Sequence, residues 1–499
     1  MNSVKNGYKL IAYYLSLFMI FIGAILLLPC LVLFFYPQEI IYIHCFLIPA
    51  IMTMVIGFVL FLIFRDCPKI NLEKHQDAIF VVFLWLLAIF ISSFPFLLKG
   101  ENTFSQCLFE ATSGFATAGF SILNIENTPN IFLFFRSIML FVGGVGLVLI
   151  VSCAISDKFG LRIFNAEGHT DRLLPTLAKT ARLIFIFYFV FILVGTFLLI
   201  ICGIEPFHAV NTAIASVSTG GFATTKDSIA TFNNFWAEVI ICILMILGST
   251  SFMIHLSLIK GKFKNVIFDS EVKFMFFALI IGILVGALML LNNCGTIDNF
   301  DTSNFWDCLR ISGFQVISAM TTTGFSNVNL GTYASHTLPF NFYTILILFM
   351  LVGGCSGSTA GGIKIYRIVV AFKSMWYSLV DRMKNRKLVR THFYTRNGNY
   401  IEIDRNESIN VMGFILIYLL IFILGSFFLT CCGYPLGDSM FEFSSALAGV
   451  GLGVGIAGPA SSAIVLWIMM FGMFFGRLEI FVILQALVRS VNDIRGKGY

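Results

Sequence analysis

The chain alternates long apolar runs with short polar connections from one end to the other. Ten runs, at about 9–36, 39–64, 77–98, 130–155, 182–203, 233–258, 272–292, 340–371, 410–431 and 461–485, are each long enough to cross about 30 Å of hydrocarbon as a helix. Four of the connections, 99–130, 204–232, 293–339 and 432–460, have a distinct pattern. Each begins with a half-apolar stretch too short to span and then runs into glycine and small hydroxyl residues, which reads as a re-entrant segment.

The other connections are basic. Arg65, Lys69 and Lys74, then Lys158, Arg162, Arg172, Lys179 and Arg182, then Lys260, Lys262, Lys264 and Lys273, and finally residues 373–405 fall on one side when the runs cross in turn. Lysine and arginine are retained on the cytoplasmic side, so these connections are expected there. Both termini are expected there too, with Lys5 and Lys9 at the start and Arg489, Arg495 and Lys497 in the tail.

Composition agrees with a helical membrane protein without a sizeable soluble domain: 58% of residues are hydrophobic and 12% charged. The net charge of +6 therefore reports topology and is no nucleic-acid signal. The twelve cysteines are scattered without C-x-x-C spacing, which points neither to a disulfide framework nor to zinc. The first run is too long for a signal peptide and is read as a retained helix. His208 and His255 read as packing or interfacial residues, and no catalytic or nucleotide-binding constellation is visible, so no enzyme is expected.

The re-entrant connections align with one another. Their cores are Phe109-Glu-Ala-Thr-Ser-Gly-Phe-Ala-Thr-Ala-Gly-Phe120, Ala213-Ile-Ala-Ser-Val-Ser-Thr-Gly-Gly-Phe222, Val316-Ile-Ser-Ala-Met-Thr-Thr-Thr-Gly-Phe325 and Phe441-Glu-Phe-Ser-Ser-Ala-Leu-Ala-Gly-Val-Gly-Leu452. The final glycines, Gly119, Gly221, Gly324 and Gly451, recur every 100–130 residues or so, which marks an internal fourfold repeat. The expected architecture is an all-α polytopic membrane protein: two N-terminal helices (1–76), then four helix, pore-loop, helix repeats (77–172, 173–264, 265–400 and 401–499) around a central pore.

Four such loops suit a dehydrated alkali cation, whose water shell can be replaced by rings of backbone carbonyls. Holding those carbonyls on one axis needs a residue that takes positive φ without strain, and glycine stands at the same place in every loop. Thr117, Thr219 and Thr322 stand two residues earlier and can offer a hydroxyl ligand; Gly449 offers backbone alone. With the intervening Ala118, Gly220, Thr323 and Val450, these residues form the candidate filter. The short helices before the loops would aim their negative C-terminal ends at a cation.

In these loops the chain resembles the Trk/Ktr/HKT superfamily of potassium transporters, over essentially its whole length. The two helices before the first repeat resemble the bacterial Trk pore-forming subunits more than the Ktr type. Some plant relatives that pass sodium resemble this family with serine in the first loop, so the resemblance at Gly119 favours potassium; Gly449 and Leu452 depart from the Thr-x-Gly-Phe form, as fourth repeats of the family often do. The resemblance further implies a bacterial cytoplasmic (inner) membrane, a homodimer and a cytosolic nucleotide-binding regulatory ring of the TrkA kind.

Two further features point to gating. The stretch Gly353-Gly354-Cys-Ser356-Gly357-Ser358-Thr359-Ala-Gly361-Gly362-Ile-Lys364 interrupts the third inner helix. Non-helical backbone at membrane depth is tolerated where it lines a cavity or is buried, so it reads either as a gate under the filter or as a packing kink. The resemblance implies the gate. Arg477, inside the last apolar run, is expected to pair with this loop's carbonyls or with Glu479 and to help hold the path shut. Arg136 reads as an interfacial anchor, and Glu110, Asp438 and Glu442 as charges that concentrate cations at the outer mouth or are simply solvated. A sodium- or proton-coupled secondary carrier is the alternative, disfavoured by a repeat that is fourfold and uninverted.

Overall fold

The computed structural model describes residues 2–67, 76–146, 177–292, 296–298, 300–383 and 393–495. Lys69, Lys74, Lys158, Arg162, Arg172, Lys497 and the second half of the 130–155 run lie outside the described residues.

Helices α1 (Asn2–Ile25) and α2 (Ile43–Phe64) come first and pack along each other, joined by two 3-10 turns. Small residues permit the approach: a Cβ on Gly57 would stand 2.9 Å from the Ser16 carbonyl oxygen. The first repeat is α3 (Gln76–Lys99), α4 (Phe104–Phe115) and α5 (Asn130–Val145), and the second is α6 (Leu177–Ile201), α7 (Pro206–Val217), α8 (Phe235–Ser249) and α9 (Phe252–Ile259). A single turn, α10 (Phe263–Ile267), leads to the third, α11 (Ser270–Leu291), α12 (Phe305–Met320), α13 (Phe340–Val352) and α14 (Ile365–Met383). The fourth is α15 (Arg405–Cys431), α16 (Leu436–Ala448), α17 (Ala463–Arg477) and α18 (Ile480–Ile494). Among the described residues, three short antiparallel hairpins interrupt the helices: β1–β2 (Thr296–Ile297, Phe300–Asp301), β3–β4 (Gly331–Thr332, Ser335–His336) and β5–β6 (Phe393–Arg396, Asn399–Glu402).

Local chemistry sets many of the helix starts. Asn234 accepts from the Trp236 and Ala237 N–H groups, Asp269 from Glu271 and Val272, Asn304 from Trp306, and Asp404 from Arg405. Thr103 and Gln106 form a capping box on α4, and the buried Glu39 carboxylate accepts the Asn130 and Ile131 N–H groups at the start of α5, both at 2.8 Å.

Each of the ten apolar runs is mostly helical in its described part, but they are not ten continuous spans. Among the described residues, six helices are long and apolar enough to cross a membrane, or eight if each bent pair counts as one span; Asn130–Val145 and Phe340–Val352 are shorter. The bent pairs are α8 with α9, at 104°, and α17 with α18, at 100°. Hydropathy reads a broken helix as a long one because both halves are apolar; the break is written in two or three residues that barely move the average.

The chain divides into two compact units: residues 1–117, 121–190 and 458–499, and residues 118–120 and 191–457. The first has an aromatic core in which Phe132 meets Phe46 and Phe96 at centroid distances of 5.0 and 5.8 Å. In the second, α11 and α15 expose apolar side chains such as Phe277, Ile281, Leu416 and Phe427, as helices facing lipid do.

Candidate functional site

After each short helix the chain makes the same turn. Thr117, Thr219 and Thr322 have φ of 52°, 51° and 55°, and Gly449 has 67° at the equivalent place. Two residues on, Gly119, Gly221, Gly324 and Gly451 have φ of 73°, 64°, 84° and 100°, while Ala118, Gly220, Thr323 and Val450 between them are outside the left-handed region. In a plain extended strand successive carbonyls point to opposite sides. A left-handed residue at every second place turns them to the same side, which is how a short strand offers consecutive oxygens to an ion.

Three residues of the first loop, Ala118–Phe120, lie in the second unit with the other three loops. There the glycines close a ring. A Cβ built on Gly221 would stand 1.9 Å from the Thr323 oxygen, on Gly324 1.9 Å from that of Val450, on Gly451 2.4 Å from that of Ala118, and on Gly119 2.7 Å from that of Gly220. Each loop thus presses its glycine against the carbonyl preceding the glycine of the next, in chain order and back to the start. No side chain fits between the strands, and all twelve sequence-predicted filter positions belong to these four turns.

The interruption after α13 is a closed loop and not a kink. Its neck is tied by the Ile363 and Lys364 N–H groups donating to the Leu351 and Val352 carbonyls at 2.9 and 3.0 Å. Gly353, Gly357, Gly362 and Lys364 are left-handed, with φ of 73°, 70°, 78° and 78°. The Lys364 ammonium donates to the Ala360 carbonyl across the loop, and the Ser358 hydroxyl to that of Cys355. On one flank the Cys355 N–H donates to the Ser249 carbonyl at 3.0 Å, Gly354 packs on Ser249, and the Ser356 N–H donates to Glu271. At the tip, the Thr359 hydroxyl lies 3.0 Å from that of Thr219, and the Gly361 N–H donates to the Thr322 hydroxyl at 2.7 Å. Gly361 also lies against the Ala448 carbonyl, where a Cβ would come within 1.9 Å. The loop therefore engages the hydroxyls that begin two of the four turns and the backbone that begins a third.

Arg477 ends α17 in the first unit, where its guanidinium donates to the Gly143 carbonyl and lies over the Trp85 ring, 5.5 Å from its centroid. That contact exposes a feature the sequence reading missed. Each inner helix stops at a corresponding place: α5 before Gly146 (φ 96°), α8 at the bend to α9, α13 before Gly353, and α17 before Glu479 (φ 54°). Gly143-Gly144-Val-Gly146, Gly248-Ser-Thr-Ser251 and Gly476 carried the signal, each weaker than the twelve-residue stretch in the third repeat.

Two carboxylates expected at the outer mouth are instead buried supports. Glu110 and Glu442 are both 0% exposed, and each lies nine residues before its loop's last glycine. Glu110 accepts from the Ser121 hydroxyl at 3.0 Å and the Ile122 N–H at 3.1 Å, with the Arg136 Nε at 2.9 Å. Arg136, also buried, is thus its counter-ion and no interfacial anchor. Glu442 accepts the Val454 and Ala457 N–H groups at 2.6 and 2.8 Å. Gln315, at the same register, donates to Ser326 at 2.5 Å; in the second repeat His208 meets the Thr224 hydroxyl at 2.7 Å. A charge on a short polar-flanked segment looks solvated in sequence, but here the returning strand supplies the donors that bury it. Asp438 is buried as well, 3.2 Å from His336. His255 is a packing residue whose Nε2 lies 2.9 Å from the Leu247 carbonyl.

Two lone helices followed by four helix, pore-loop, helix repeats, with a carbonyl ring at the loops, define a multi-pass membrane transport protein. Residues 46–492 match the family model described as TrkH, cation transport protein, and the chain belongs to that family. It is 29% identical to an uncharacterized cation transporter of Methanocaldococcus jannaschii, over 93% of this chain and 92% of that one. To the Trk system potassium uptake protein TrkG of Escherichia coli it is 28% identical, over 83% and 85% of the two chains. The crystal structure of the potassium transporter TrkH from Vibrio parahaemolyticus superposes with a TM-score of 0.82, covering 96% of this chain and 98% of that one at 23% identity, and so shares the fold.

Proposed function

We propose that the chain carries potassium into a cell across its cytoplasmic membrane, the four turns serving as the selectivity filter. The observation that carries the reading is the ring itself: alternating left-handed positions in four loops, each glycine against the next loop's carbonyl. Glycine at 119, as in the other three loops, favours potassium over sodium, and relatives named as potassium uptake proteins support the choice.

In this reading the loop Gly353–Lys364 is the gate, because its tip takes up the hydroxyls of Thr219 and Thr322. Arg477 is a second closing element, a cation fixed at the break of the fourth inner helix. Both termini face the cytoplasm, and a second copy of the chain and a cytosolic nucleotide-binding ring complete the working assembly.

The test is ion flux into proteoliposomes holding the purified chain, comparing potassium, rubidium, sodium and lithium for the wild type and Gly119→Ser. Passage of potassium and rubidium ahead of sodium and lithium, relaxed by the substitution, is the expected result. Flux indifferent to Gly119 would overturn the filter and favour a coupled carrier.

A further inference from the structure

The gating loop is held from outside the ion path, at its Ser356 edge, by a side chain that no sequence motif marks. Glu271, in the first turn of α11, is buried, and its Oε2 accepts the Ser356 N–H at 2.7 Å. Its other oxygen, Oε1, lies 3.6 Å from the Arg396 Nε, at the tip of the β5–β6 hairpin. The hairpin tip is fixed to the same helix end a second time: the Asn397 N–H donates at 2.7 Å to Asp269, the residue that caps α11. The Thr395 hydroxyl donates to the Phe268 carbonyl at 2.8 Å, and the Ser257 hydroxyl to the Asn397 side chain at 2.9 Å.

The hairpin therefore rests on the start of α11 through several polar contacts, and one carboxylate spans from it to the gate. Its outer residues are free to be touched; Tyr400 is 78% exposed. A carboxylate bridging a backbone N–H and a guanidinium in a buried place binds both more strongly than neutral groups would. Displacing the hairpin draws Arg396 from Glu271 and leaves the carboxylate buried beside fewer donors, which favours its moving away from Ser356.

We propose that Glu271 is a positioning residue that links the β5–β6 hairpin to the gating loop, so that force applied to the hairpin loosens the loop. The inference rests on the reading of that loop as the gate. It gives the four hairpin residues Phe393–Arg396 and their partner strand a role beyond capping the bundle: they are the handle, and the Arg396–Glu271–Ser356 chain is the linkage.

Cys355, beside Ser356 and fully buried, is a built-in reporter of loop release. The experiment compares the wild type, Arg396→Ala, Glu271→Gln and the double variant, in the full chain reconstituted in proteoliposomes. Two quantities are read: the rate of Cys355 modification by a small membrane-permeant thiol reagent, located by mass spectrometry, and basal rubidium flux. Glu271→Gln keeps an acceptor for Ser356 and loses the charge that holds Arg396, and it carries the test if Arg396→Ala, which removes a side chain 16% exposed and packed over Tyr366, destabilises the fold. Each single variant should raise Cys355 modification about tenfold, with the double variant no higher than either, because both cut the same link. Unchanged Cys355 modification in both single variants, or additive effects in the double, would overturn the linkage. Faster modification with unchanged rubidium flux would leave the linkage standing and instead refute the assignment of the loop as the gate.

Discussion

The ring geometry predicts a graded series of glycine substitutions. In Gly324→Ala the new Cβ would lie 1.9 Å from the Val450 oxygen, so the strands must separate by about 1.5 Å to reach ordinary contact at 3.4 Å. Gly221→Ala meets the Thr323 oxygen at the same distance, Gly451→Ala has 2.4 Å to the Ala118 oxygen, and Gly119→Ala has 2.7 Å to that of Gly220. Every variant carries the left-handed backbone cost of about 1–2 kcal/mol, so the differences among them report ring displacement alone. A carbonyl moved by more than an ångström stops being a ligand, and losing one charge-assisted contact costs about 2–3 kcal/mol, or roughly 30- to 150-fold in rate. Initial rubidium uptake by monodisperse protein in proteoliposomes should therefore fall by at least about 30-fold for Gly324→Ala and Gly221→Ala, less for Gly451→Ala, and by under about tenfold for Gly119→Ala. Equal losses at all four positions, or the largest loss at Gly119, would refute the inference that these glycines pack against the ligating carbonyls.

Thr359→Val removes the hydroxyl that meets Thr219 and reaches the Val217 and Gly248 carbonyls, and basal rubidium flux should rise several-fold; a fall would mean the loop needs that hydroxyl to open. Arg477→Ala frees the Gly143 carbonyl and removes a fixed cation, and it should also raise basal flux; unchanged flux in well-folded protein would count against a closing role. Arg136→Ala strands the Glu110 carboxylate and should destabilise the first repeat by about 3–5 kcal/mol, read as a lower unfolding temperature, with Glu110→Gln added to it restoring part of the loss.

The repeat, the four loops and the helical runs were legible in the sequence because each rests on a local signal: an apolar run of sufficient length, or a glycine at fixed register. The loop Gly353–Lys364 was legible for the same reason, eight glycine, serine and threonine residues among twelve being too many for a helix. What escaped were features whose cause lies far away along the chain. Glu110 and Glu442 look like surface charges until the returning strand brings the N–H groups that bury them. Arg136 looks like an anchor until Glu110, 26 positions earlier, is found opposite it. The end of α5 at Gly146 and the breaks after α8 and α17 each turn on one to three residues in an apolar run.

The sequence also suggested that Gly449 was the anomalous member of its set, and the structure reverses that emphasis. The turn is left-handed in all four loops, so glycine at 449 adopts it freely, whereas threonine at 117, 219 and 322 is the strained choice. Part of that strain is relieved where the Thr117 and Thr219 hydroxyls donate to the preceding carbonyls, at 2.7 and 2.8 Å. Even so, the backbone alone would be better served by glycine everywhere, and the hydroxyl must contribute something the turn does not require. Two of the three hydroxyls meet the loop Gly353–Lys364, at Thr359 and Gly361. In the fourth loop Gly361 instead packs directly on the Ala448 carbonyl, close enough that neither partner has room for another atom. On the proposed reading, the asymmetry of the filter is thus matched to the asymmetry of the gate: hydroxyls stand where the loop hydrogen-bonds, and bare backbone stands where it presses closest.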